Sequence, residues 1–172
     1  MKDKLESIQS EIFREGAATF VVLDGASVPG LLDKLAQWQP EFVCLYRGEV
    51  KPDLAAVAPY LVRLEPESDF AKWVLSEGWG KHWGIFAVVE ADLRTMRQHF
   101  RRFLTVHDES GKPLLFRYYD PRVLRVYLPT CNAAKLAEIF GPVLCYLAEG
   151  EEPDSVLHFE ARDGKLVQQE SK

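Results

Sequence analysis

Arg117, Asp120, Arg122 and Arg125 stand close together in the stretch "RYYDPRVLRVYLP", residues 117–129, among tyrosines and aliphatic residues. A carboxylate hemmed in by guanidinium groups is material for an active site, because such groups shift one another's pKa values. With His107 upstream, the chemistry would be that of a small hydrolase or transferase with a pocket near Arg117, Asp120 and His107. The same residues suit a binding surface, since guanidinium groups pair with carboxylates in fixed geometry. They also suit a helix start. Asp120 can accept backbone N–H bonds as an N-cap, and Pro121 is pre-shaped for the first helical position. The local physics favours a structural motif of Arg117, Tyr119, Asp120 and Pro121, with Arg117 latched to Asp120. Arg122 and Arg125 then fall in the first helical turns, where cations oppose the helix dipole, so they point to a partner instead.

Other chemistries find little support in the motifs. Neither GxGxxG nor GxxxxGK[ST] occurs, so no nucleotide loop is expected. There is no CxxC or HxxxH pair, and His82, His99, His107 and His158 are scattered, so no metal site is expected. No GxSxG elbow is present. His107, Asp108 and Glu109 read as turn residues of a hairpin tip. No catalytic residue and no cofactor are assigned. A net charge of −5 argues against nonspecific nucleic-acid binding by the domain as a whole. Cys44, Cys131 and Cys145 sit in apolar runs and read as buried free thiols. The charged beginning "MKDKLESIQSEIF" has no apolar signal core, and no run approaches the ~20 apolar residues of a membrane span. A cytoplasmic protein without membrane contact or small-molecule substrate is expected.

Two further features carry surface chemistry. Arg94, Arg97 and Arg101 recur at spacings of three and four along residues 92–103, opposite Leu93, Met96, Phe100 and Phe103. Like charges so stacked repel, which leaves either a solvated face balanced by acidic neighbours or a patch for an acidic partner. Trp79 and Trp83 fall in "EGWGKHWG", which reads as a loop, where exposed tryptophans anchor protein interfaces. Trp73 falls in helical phase and reads as core.

The elements that position these residues follow from periodicity. Helices are expected over 3–14 (with Leu5, Ile8, Ile12 and Phe13 inward), 29–38, near Leu54, after a Ser68 cap, over 93–103 after an Asp92 cap, from Asp120-Pro121, and over 133–140. Strands are expected at "ATFVVLDG", "EFVCLYRG", "PYLVRLE", "GIFAVVE" and "PVLCYLAEG". Hairpins are expected with turns near Ser110-Gly111 and at Asp163-Gly164, the second after the acidic joint "EGEEPD". Strands alternating with helices predict an α/β fold with a mixed, partly parallel sheet flanked by helices and antiparallel hairpins in the second half. Residues 1–148 would form the main domain, and 149–172 the joint and a C-terminal hairpin or tail.

"FRYYDPRVLRVYLP" resembles the signature of the type VI secretion adaptor family, a domain long catalogued as of unknown function. "FVVLDGA", "CLYRG", "LAAVAPYLVRLEP", "WGIFAV" and "FGPVLCYL" agree in family order, over about residues 18–148. The resemblance implies a cytoplasmic chaperone, not an enzyme, that binds a secreted effector protein and loads it onto the VgrG spike. The face expected to meet the partner comprises Trp79, Trp83, Arg94, Arg97, Arg101, Arg122 and Arg125.

Overall fold

The computed structural model describes residues 2–152 and 155–171. The side chain of Leu5 and the Pro153-Asp154 step of the acidic joint lie outside the described residues. The elements follow in the order α1 (Lys2–Ile12), β1 (Ala18–Asp24), α2 (Leu31–Trp38), β2 (Phe42–Cys44), α3 (Pro52–Ala55), β3 (Pro59–Leu64), α4 (Asp69–Gly78) and β4 (Gly84–Val89). Then come α5 (Leu93–Arg101), the hairpin β5 (Thr105–His107) and β6 (Pro113–Leu115), α6 (Pro121–Tyr127), α7 (Ala133–Phe140), β7 (Val143–Glu149), β8 (Val156–Arg162) and β9 (Lys165–Ser171). Four of the helices begin at a side-chain cap. Ser68, Asp92, Asp120 and Asn132 accept N–H bonds from Ala71, Thr95, Arg122 and Lys135.

The expectation of a partly parallel sheet is wrong. Seven strands form one sheet in the order β2-β3-β1-β4-β7-β8-β9, and every pairing is antiparallel. The physical reason lies in β1. It inserts between β3 and β4 and runs against both. The α4 crossover does join two strands that point the same way, but they never touch, which makes a split β-α-β unit. Helix–strand alternation shows the crossover and is blind to the strand slipped into its middle.

Both faces of this sheet are covered, so its central strands read as unbroken apolar runs although nothing is parallel. Val21, Leu23, Val62 and Val88 face α1, α2 and α4, meeting Ile8, Ile12, Leu35, Phe70 and Val74. Phe20, Val22, Ala87 and Tyr146 face the other way, onto Met96, Phe100, Leu124, Leu136 and Phe140 of α5, α6 and α7. The C-terminal hairpin continues the sheet through β7 and β8, with its turn at Asp163-Gly164. Cys145 is buried, but Cys44 and Cys131 are only half-buried. No helix among the described residues is long and apolar enough to cross a membrane.

One polar group lies deep in the second core. His99 of α5 is 3% exposed, and its Nε2–H donates to the Ile139 carbonyl at 2.8 Å. Its Nδ1 faces the Arg102 guanidinium at 3.2 Å, which assigns the neutral tautomer. Burial, with the charge of Arg102, pushes the imidazole down from 6.5 to about 4. The unfolded chain therefore takes a proton below pH 6.5 that the fold refuses. Stability intact above that pH should fall by about 2 kcal/mol by pH 5 and keep falling towards pH 4. Urea unfolding at pH 7 and pH 5 checks this. His99→Gln should lose that pH dependence, and a variant equally acid-sensitive would show that other groups cause it.

Candidate functional site

Strands β1 and β7 finish, and β3, β4 and β8 begin, at one end of the sheet, which gathers Asp24, Pro59, Gly84, Glu149 and Val156. The chain after β2 returns to the same end, as do the last turn of α5 and the first of α6. The residues singled out in 117–125 meet the sheet here.

Asp24, the last residue of β1, is buried and fully engaged. Its carboxylate accepts the Ala26 N–H at 3.1 Å, the Ser27 hydroxyl at 2.8 Å and the Arg117 guanidinium. Its own N–H donates to the Trp83 carbonyl at 2.8 Å, tying the turn to the start of β4. Burial works to lower the Arg117 pKa, and the hydrogen bond and charge of Asp24 outweigh it, so the arginine is held as a cation. Tyr46 and Tyr119 flank the pair. Burial first, and then the charge of Asp24, raise both phenols above their ordinary value. They remain protonated donors and are poorly suited as bases near neutral pH.

The expected Arg117–Asp120 latch is therefore corrected. Arg117 bonds Asp24, and Asp120 turns to Arg122. The Arg122 Nε and Nη2 donate to the two Asp120 oxygens at 3.0 and 2.7 Å, while its backbone N–H donates to Oδ1 at 2.9 Å. Burial favours the neutral acid, but the bonds and charge of Arg122 win and hold Asp120 below the usual carboxylate range. One Asp120 thus caps α6 and neutralises the cation that the helix dipole disfavours. Arg125 is explained as well. Its guanidinium donates to the Gly150 carbonyl at 3.2 Å and lies 3.9 Å from Glu151, clipping α6 to the acidic joint.

Glu149 is the acid that sequence reasoning missed, hidden in a joint that looks solvated. It is 6% exposed and accepts the backbone N–H groups of Gly80 and His82, the latter at 2.8 Å, while touching the His82 ring. It thereby fixes the loop that carries Trp79. The one available signal was its place directly after an unbroken apolar strand.

The family described as "Domain of unknown function (DUF4123)" matches residues 19–138. The chain belongs to that family. No curated protein and no solved structure matches it. The DUF4123 match runs from β1 into α7, so it contains Asp24, Arg101, Arg117, Asp120 and Arg122, while Glu149 lies beyond it.

Within this DUF4123 domain the other expected residues separate. Trp83 is buried against Trp73, with ring centroids 4.9 Å apart, which corrects its expected place on the surface. Trp79 is half-buried and stacks on Phe86, and its indole N–H finds no acceptor among the described residues. Arg94 is exposed and Arg97 half-buried. Arg101 turns inward and donates to the Cys44, Leu45 and Tyr46 carbonyls at 2.9, 3.0 and 3.0 Å. Cys44 is the last residue of the edge strand β2, and Leu45 and Tyr46 directly follow it, so Arg101 ties α5 to the end of that strand. His107 stands exposed on β5, and no hydrogen bond or ion pair joins it to Arg117 or Asp120 among the described residues. Replacing Asp120 with alanine should cost about 1–2 kcal/mol from the lost cap. Arg122 is more than half exposed and can turn to water. Thermal unfolding checks this, and a loss above about 3 kcal/mol would mean that Asp120 also restrains Arg117.

Proposed function

We propose that this DUF4123 chain is a type VI secretion adaptor, a cytoplasmic chaperone that binds a cognate effector and promotes its loading onto the VgrG spike. The observation that carries the reading is the signature "FRYYDPRVL", standing in family order and braced at one end of the sheet by the Arg117–Asp24 and Arg122–Asp120 pairs. These pairs hold charges in fixed places, and the neighbouring phenols stay protonated. Such a site supports recognition of a partner surface more than proton transfer. On this reading the protein is not an enzyme, needs no cofactor or metal, and acts on proteins without touching nucleic acid, membrane or small substrates.

Co-expression tests it. Tagged chain produced with the effector and VgrG encoded in its gene neighbourhood should retain one or both through purification. Failure to retain either, with the chain folded, would contradict the reading. An esterase and phosphatase screen should be blank, and activity abolished by Asp120→Asn would favour a hydrolase instead.

A further inference from the structure

Several arginines of the chain are neutralised by acids and others are not. Arg63, Arg117, Arg122 and Arg162 each hold a carboxylate. Arg97 and Arg101 lie one turn apart on α5, and Arg47 directly follows Tyr46, whose carbonyl Arg101 holds at 3.0 Å. No carboxylate among the described residues pairs with Arg47, Arg97 or Arg101. The acceptors these three use are the carbonyls bonded by Arg101, which are dipoles and leave the net positive charge in place. Burial, and then the charges of Arg97 and Arg47, lower the Arg101 pKa, as expected of guanidinium groups near enough to repel. The Arg97 Nε–H is shut off from solvent and has no acceptor among the described residues. Arg97 as a whole is half-buried, so a carboxylate from outside meets the exposed part of the side chain and offsets the charge that the carbonyls leave in place, while the Nε–H stays enclosed and reports on it.

We infer that Arg97 and Arg47, with Arg101 behind them, form a docking site for Asp or Glu side chains of a protein partner. This rests on the adaptor reading and deepens it by giving the partner's contact segment an acidic character. The chain as a whole carries −5, so a long polyanion would meet repulsion beyond this patch, whereas a short acidic stretch of a protein fits within it. The partner's acids bond Arg97 and Arg47, while Arg101 stays on its carbonyls and adds charge from below.

Nitrogen-labelled full-length chain makes the site observable through its arginine Nε–H resonances, with Arg97 assigned by its loss in Arg97→Lys. The probe is a short peptide of alternating glutamate and leucine at low salt. The Arg97 resonance should shift saturably, ahead of those of Arg63 and Arg162. Arg47→Glu, an exposed change that leaves the fold intact, should weaken the peptide by about tenfold. Uniform shifts across the arginines, no shift at Arg97, or an unaltered affinity in Arg47→Glu would overturn the site. So would stronger binding of a single-stranded oligonucleotide of equal charge, which would reassign the patch to nucleic acid. The peptide is not the effector. A silent Arg97 therefore removes the acidic site while co-purification still decides effector binding, and lost co-purification with a responsive Arg97 does the reverse.

Discussion

Replacing Asp24 with alanine is expected to destabilise the fold by about 3 kcal/mol, the low end of the cost of breaking a buried ion pair. The side chain is 2% exposed and satisfies three donors at once. Its loss strands the Ala26 N–H and the Ser27 hydroxyl at the end of β1. It also leaves Arg117 without its counter-charge, though that side chain is 42% exposed and can recover some hydration, which keeps the cost from climbing higher. Asp24→Asn keeps the Oδ1 acceptor for the Ala26 N–H, but its NH2 replaces the oxygen shared by Ser27 and Arg117, so it should recover only part of the loss. Urea denaturation of the two variants separates the contributions. A loss within about 1 kcal/mol for Asp24→Ala would show that Arg117–Asp24 behaves as an ordinary surface pair.

Gly84→Ala should be at least as damaging, at about 3 kcal/mol, the upper end for overpacking. An alanine Cβ at the first residue of β4 would sit 2.1 Å from the Val22 carbonyl oxygen, 2.9 Å from its carbon and 3.1 Å from the Leu23 Cα. All three are backbone atoms of β1, which is paired on both sides. No side chain can rotate away, so β4 must move off β1. That shift also disturbs the Asp24 N–H bond to Trp83, and with it the base of the motif. Gly16 is the internal control. It has φ +79° and nothing within 4 Å of an added Cβ, so Gly16→Ala should cost only the ~1 kcal/mol of a left-handed residue. Equal melting temperatures for the two variants would show that β1 and β4 are not held this closely.

What the sequence disclosed and what it withheld divide along the range of the interactions. Asp92, Ser68 and Asp120 announced their helices because a cap reaches only two or three residues along the chain. The Asp163-Gly164 turn did the same for its hairpin. The direction of the sheet was not legible, because a strand buried on both faces looks alike in either orientation. Arg117 was recognised as needing an acid, but its partner lies 93 residues away, and Asp120 was merely the nearest in sequence. Arg97 and Arg101 share a spacing and a helix face, and only the chain after β2 distinguishes the one turned onto carbonyls from the one left unpartnered. Trp79 and Trp83 share a loop without periodicity, so nothing local marked Trp83 as the one that fills the core.

Loading itself is the most direct test. Purified effector and VgrG are mixed with and without the chain and separated by size exclusion, and the effector co-eluting with VgrG is measured. The adaptor account requires the effector to travel with VgrG when the chain has been present and to elute alone when it has not. Equal loading in both mixtures, with a chain that is folded and binds neither protein, would contradict it.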